Sequence, residues 1–107
     1  MDNDQPWSEI FRLAGIDWAE KEAAASLLED SKSAVMAQKC AMMGDIAVNR
    51  AEQAVKSSPE WVEYIEYAVD ARKAANLAKV NMEAMRMKFN EWQNSEANGR
   101  AEARVMT

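Results

Sequence analysis

The stretch WVEYIEYAVDARKAANLAKVNMEAMRMKFNEW, residues 61–92, carries the pattern that decides the fold. Alternating steps of three and four residues through it reach only apolar side chains and one tyrosine. These positions are Trp61, Tyr64, Ala68, Ala71, Ala75, Ala78, Met82, Met85, Phe89 and Trp92. Such spacing is typical of a helix that packs along one face against another helix. We therefore interpret the aromatic residues as core, and a stacking platform for nucleic-acid bases is the alternative.

The same stepping continues through residues 23–55, where Asp30 is the one polar position. Between the two stretches, Ser57, Ser58 and Pro59 form a helix-start signal, with a capping serine and a proline in the first turn. We predict an all-α protein built as an antiparallel hairpin of two long helices, coiled-coil-like, reversed at residues 57–59. The predicted ranges are a short amphipathic helix 6–14 ended by Gly15, a first long helix 17–56, a second long helix 59–94 and a frayed tail 95–107.

Folded at residues 57–59, the hairpin brings small residues together at its middle. Gly44 would face Ala71, Ala41 would face Ala75, and Ala37 would face Ala78. Gly44 is accepted inside the helix because a helical glycine costs only about 1 kcal/mol relative to alanine. The predicted hairpin core is Ala37, Ala41, Gly44, Ala71, Ala75, Ala78, Met82, Phe89 and Trp92.

The composition excludes several chemistries. The chain of 107 residues has no histidine and one cysteine, Cys40, so one copy cannot supply the usual zinc ligands or an imidazole base. It also contains no glycine-rich phosphate loop and no nucleophile-elbow or zinc-protease motif. We predict a single helical domain that is not an enzyme and has no metal or cofactor.

The sequence also bears on location. No apolar run approaches the roughly 20 residues that a membrane helix needs, and the first five residues, MDNDQ, carry two aspartates where a secretory signal would be basic. A single cysteine forms no intrachain disulfide, which fits a reducing compartment. We predict a cytoplasmic protein without a membrane partner.

Charge is uneven along the chain, although the net value is −5. Cations recur along the second predicted helix, and only Arg72 has an obvious ion-pair partner, Asp45, in the predicted register. The remaining cations predict a basic edge for contact with nucleic acid or an acidic partner: Lys79, Arg86, Lys88 and Arg100. A solvated helix face is the alternative.

A second apolar face lies off the predicted seam on the first long helix. It comprises Leu28, Val35, Met36, Met42 and Met43. A two-helix hairpin cannot bury two apolar faces by itself, so we predict that the N-terminal segment and a second copy cover this one, and that the protein is a homo-oligomer. Methionine-rich faces also adapt to unrelated partners, so a different protein is the alternative.

The stretch ARKAANLAKVNMEAMRMKFNEWQNSEANGRAEAR, residues 71–104, resembles the C-terminal arm of small helical proteins encoded by bacteriophages and prophages, in the gene cluster for recombination and early replication. The resemblance implies a site of action in the host cytoplasm and a role beside a single-strand annealing protein. The implied function is an accessory binding protein that contacts single-stranded DNA or the DNA-bound annealing protein. The alternatives are a phage inhibitor of a host defence or replication protein and a purely structural coiled-coil oligomer.

Overall fold

The computed structural model describes residues 6–106, and they form four α-helices with no strand among them. The helices are α1 (Trp7–Asp30), α2 (Lys32–Ala41), α3 (Val48–Lys56) and α4 (Pro59–Met106). The predicted all-α, coiled-coil-like class with antiparallel long helices is confirmed. Few helix-breaking residues and many Ala, Glu, Lys, Met and Arg account for this, since these side chains lose little freedom in a helix.

Helix α1 begins where the short helix was predicted but does not end at Gly15. The range 6–14 and the break before residue 17 are therefore wrong. Gly15 lies inside α1, where an added Cβ would be 4.0 Å from the sulfur of Met82. Only Ser31 separates α1 from α2, and its torsion angles, φ −80° and ψ −9°, are helical. The Ser31 N–H bonds to the Leu27 carbonyl, so the two helices follow one another with little interruption.

The chain reverses at residues 42–47 and not at residues 57–59. Helix α2 ends at Ala41, and Gly44 has φ +80°, a conformation that glycine adopts at far lower cost than other residues. Helices α2 and α3 contact each other across this short connection, as in an antiparallel helical hairpin. The predicted continuous helix 17–56 is wrong because Gly44 adopts a left-handed conformation in the turn between α2 and α3.

Ser57 and Ser58 interrupt the helix without reversing the chain. The Ser58 hydroxyl donates to the Val55 carbonyl at 2.6 Å and accepts from the Trp61 N–H at 3.3 Å, so it caps α4 as predicted. Beyond it, α4 lies against α1, while α3 before it lies against α2. Because α1 and α2 follow one another, α3 and α4 must also continue in one direction.

Helix α4 is longer than predicted. It runs to Met106, so the end at residue 94 and the frayed tail 95–107 are wrong over the described residues. Gly99 lies inside it without a positive φ. Alanine, glutamate and arginine around Gly99 favour the helix enough to offset one glycine.

The described chain divides into two compact units. The hairpin unit is Lys21–Ala75 and contains all three interruptions between the helices, at Ser31, at residues 42–47 and at residues 57–58. Its buried residues are Ala25, Ala51, Val55, Trp61 and Ala75. Ala75 was predicted in the core and Ala71 is half-buried, but Ala37, Ala41 and Gly44 are exposed. Those three were misplaced because the chain reverses at residues 42–47, directly after Ala41, and not at residues 57–59.

The paired-helix unit consists of residues 6–20 and 76–106, the start of α1 and the rest of α4. Ala14 and Ala78 are buried, and Met82 and Phe89 are half-buried, so the predicted seam of α4 does face α1 here. The rings of Phe11 and Phe89 lie 6.2 Å apart.

We expect glycine-to-alanine substitutions at two positions to have opposite effects. Gly44→Ala should lower the free energy of unfolding by about 1–2 kcal/mol, because alanine resists a positive φ. Gly99→Ala should raise it by up to about 1 kcal/mol, because the site is helical and nothing lies within 4 Å of an added Cβ. Urea unfolding followed by far-UV circular dichroism measures both. An unchanged or more stable Gly44→Ala variant contradicts a reversal at this glycine.

Candidate functional site

Arg72 holds α4 to α1 within the hairpin unit. Its Nη1 and Nη2 donate to the two carboxylate oxygens of Glu22 at 2.7 and 3.0 Å. Its Nε and Nη2 donate to the two oxygens of Glu29 at 2.8 and 2.7 Å. Glu22 and Glu29 are two helical turns apart, so both project from one side of α1. The planar guanidinium therefore binds two carboxylates, each through a pair of hydrogen bonds.

This bridge replaces the predicted ion pair between Arg72 and Asp45. Asp45 lies in the exposed turn at residues 42–47. The hydrogen bonds from Arg72 hold the pKa of the Glu29 carboxyl below its usual range, and those bonds raise the pKa of Arg72. The side chains of Arg72, Glu22 and Glu29 are 30%, 37% and 42% exposed, so water and salt screen part of the attraction.

In the paired-helix unit, the four cations of the predicted basic edge fall into two groups that differ in their surroundings. The ammonium of Lys79 lies 5.8 Å from the ring centre of Trp18, and that of Lys88 lies 5.6 Å from the ring of Trp7. Both distances suit a cation–π interaction, although both lysines remain exposed. The tryptophans of α1 therefore hold two of the four predicted contact residues in place.

Arg86 and Arg100 form the second kind. Both are exposed, and neither has an ion-pair partner among residues 6–106. Both lie on α4, 14 residues apart, which is about 21 Å along a helix. These two guanidinium groups are the part of the predicted edge that is open to a ligand.

The aromatic residues near the end of the seam are packed on one another. Phe89 lies 6.2 Å from Phe11 on one side and 6.2 Å from Trp92 on another, stacked at 17°. Phe89 therefore behaves as core, which supports the seam interpretation over a platform for bases. Trp92 was predicted as core and is 44% exposed, at the edge of a shallow depression that Trp7 and Lys88 also line.

Within the hairpin unit, one part of the predicted partner face is half-buried and the other part is exposed. Leu28, Val35 and Met36 are half-buried, and the Leu28 carbonyl accepts a hydrogen bond from the Tyr64 hydroxyl. The Met36 sulfur lies 3.7 Å from the Cys40 sulfur in the groove between α2 and α3. Helices α3 and α4 thus cover much of the face that was predicted to lie under the N-terminal segment and a second copy.

The exposed remainder surrounds the reversal, and we call it the hairpin tip: Met42, Met43, Ile46 and Val48. These side chains are 81%, 42%, 43% and 69% exposed. Four large apolar residues within seven positions form the densest exposed apolar cluster of the hairpin unit. Asp45 between them is the only charged residue of residues 42–48.

The groove between α2 and α3 has a volume of about 630 Å³ and contains Cys40, whose hydrogen-bond partner is the thioether of Met36. A thioether is a weak acceptor and cannot take the thiol proton. Over residues 6–106, no three carboxylate, thiol or imidazole groups lie where they could share a metal ion. Within that same range, every helix is too short or too polar to serve as a membrane span.

Comparison of the chain with protein-family models, curated proteins and solved structures finds no match.

Sequence reasoning missed Glu22, Glu29, Trp7 and Trp18 as partners of the cations on α4. A signal for the first two was present, because Glu22 and Glu29 repeat at the heptad spacing that aligns them on one helix face. With the reversal placed at residues 57–59, the predicted register put Arg72 beside Asp45 and far along the hairpin from Glu22 and Glu29.

We expect Arg72→Gln to make the hairpin unit less stable at neutral pH, with a defect that shrinks in acid. A carboxyl with a lowered pKa in the folded state contributes stability that is complete above its usual pKa of about 4.3 and is lost as the pH falls through the lowered value. Urea unfolding at about pH 7 and about pH 2 compares the variant with the wild-type protein. Arg50→Gln, which removes an exposed arginine of α3 that lacks an ion pair within the described chain, is the control. An equal Arg72→Gln defect at both pH values assigns the effect to packing and contradicts the bridge.

Proposed function

We propose that the protein is a non-enzymatic accessory protein of a bacteriophage or prophage, a helical binding module that contacts another protein in the host cytoplasm. The observation that carries this proposal is the hairpin tip, where four large apolar side chains are exposed together. The resemblance of residues 71–104 to phage helical proteins supplies the context.

The chemistry of the tip favours a protein partner. Clustered exposed apolar side chains are typical of interaction surfaces in soluble proteins. Methionine side chains are unbranched and polarizable, so Met42 and Met43 can fit an irregular apolar pocket. The tip carries no lysine or arginine that could contact a phosphate, and the left-handed turn at Gly44 presents its side chains on a short, constrained segment.

Two kinds of partner protein fit the phage context. One is the phage single-strand annealing protein. The other is a host defence or replication protein that the tip would block. A tip that contacts only a second copy of this chain would correspond to the purely structural oligomer.

A photo-crosslinking amino acid placed at Met42 tests the role of the tip in phage-infected cells. We expect one discrete crosslinked product whose mass equals this chain plus one other protein, identified by mass spectrometry. The same amino acid at Glu96, an exposed position of α4, is the control and should give no such product. A product of twice the chain mass, or none at Met42, contradicts the proposal.

A second candidate function is contact with single-stranded DNA, and the exposure of Arg86 and Arg100 without ion-pair partners within residues 6–106 favours it. Lys79 and Lys88 would add charge beside them while remaining against their tryptophans. Phosphate contacts release counterions, so this binding must weaken as salt rises. The net charge of −5 limits the contact to a few phosphates.

Single-stranded DNA binding at several salt concentrations tests this second function. We expect measurable binding at low salt, with the slope of log K against log salt reduced by about 0.7 for each of Arg86→Gln and Arg100→Gln. Arg50→Gln, on α3, should leave the slope unchanged. Binding that is absent, or insensitive to salt, rules out a phosphate-contacting edge.

A further inference from the structure

Helix α4 carries a second row of apolar residues apart from the seam that faces α1. Leu77, Val80, Ala84 and Met87 follow one another in steps of three, four and three residues. Leu77, Val80 and Met87 are 60%, 64% and 60% exposed, and Ala84 is half-buried. We call these four residues the outer row.

The outer row has the spacing of a helix-packing seam but no helix against it within the described chain. Ala78 and Met82, which belong to the seam of α4, already pack in the paired-helix unit. Three large apolar side chains at heptad spacing would pack into a second helix as knobs between its side chains. A surface helix usually keeps one apolar stripe, so a second stripe at this spacing indicates a second helical neighbour.

Charges at the two ends of the outer row identify that neighbour. The same stepping reaches Lys73 four residues before Leu77 and Glu91 four residues after Met87. Both are exposed, and neither forms an ion pair with any residue in the range 6–106. The row thus begins with a cation and ends with an anion, which makes it complementary to a copy of itself in the opposite direction.

We propose that two copies of the protein associate through the outer rows of their α4 helices, antiparallel, about a two-fold axis near residue 82. In this register Leu77 faces the partner's Met87, and Val80 faces the partner's Ala84. Lys73 faces the partner's Glu91, and the symmetry forms this ion pair twice. A C2 interface requires such self-complementarity, since each surface meets its own copy.

The antiparallel direction follows from charge and from volume. A parallel pair would place Lys73 against Lys73 and Glu91 against Glu91, and both contacts repel. A parallel pair would also leave the small Ala84 facing the partner's Ala84. The antiparallel register pairs the smallest residue of the row with a β-branched one, so the contact is filled evenly along its length.

The interface is short, about 15 Å of helix from Leu77 to Met87, so association is weak and depends on concentration. It does not rely on the partner proposed for the hairpin tip, because the outer row and its flanking charges lie at residues 73–91 of α4, whereas the tip lies at residues 42–48.

Sedimentation equilibrium of the full chain over a wide concentration range tests the dimer. We expect the wild-type protein to pass from monomer to dimer, and Val80→Glu to stay monomeric with unchanged helicity by circular dichroism. Leu27→Glu is the matched control, since Leu27 is 68% exposed on α1, and it should dimerise as the wild type does. A wild-type protein that is monomeric throughout overturns the proposal, as does a dimer that survives Val80→Glu and is lost in Met42→Glu.

Charge reversal tests the direction. Lys73→Glu alone and Glu91→Lys alone each create two like-charge contacts and should weaken dimerisation roughly tenfold. The double variant Lys73→Glu/Glu91→Lys restores both attractions and should return to the wild-type constant. Singles that have no effect, or a double variant no stronger than the singles, overturn the antiparallel register. The hairpin-tip crosslink is measured at a different surface, so either result can fail while the other stands.

Discussion

The positive φ of Gly44 determines which residues of the hairpin unit face each other. With the reversal at residues 42–47, α3 lies along α2, and α4 lies along α1. This register brings Arg72 to Glu22 and Glu29 and places the Tyr64 hydroxyl at the Leu28 carbonyl. The same turn leaves Met42 and Ile46 exposed, because a tight reversal of six residues has no partner for side chains that point outward.

The helical content could be predicted from the sequence, but the position at which the chain reverses could not. The heptad pattern located the face of α4 that holds Ala75, Ala78 and Phe89, because apolar periodicity reports packing directly. Ser58 and Pro59 were also identified as a helix start. A cap marks where a helix begins, however, and contains no information about whether the chain turns back before it.

Gly44 and Gly15 illustrate the second limit. Both are glycines within long helix-favouring stretches, and a helical glycine costs about 1 kcal/mol in either place. That penalty is too small to separate a helix interior from a turn. In the structure Gly15 is helical beside Met82, whereas Gly44 adopts a left-handed conformation. Single-residue preferences therefore do not distinguish these two positions. Because the reversal was misplaced, Glu22 and Glu29 were not recognised as partners of Arg72, although their heptad spacing was visible in the sequence.

The buried core has a thermodynamic consequence. Five of the seven buried apolar residues of the described chain are alanines, and only Val55 and Trp61 are larger. Alanine removes little apolar surface from water, so unfolding hydrates little new hydrocarbon, and the accompanying heat-capacity change is small. A small heat-capacity change flattens the curve of folding free energy against temperature. The temperature of cold unfolding is therefore lowered, because the stability of the fold declines only slowly on cooling.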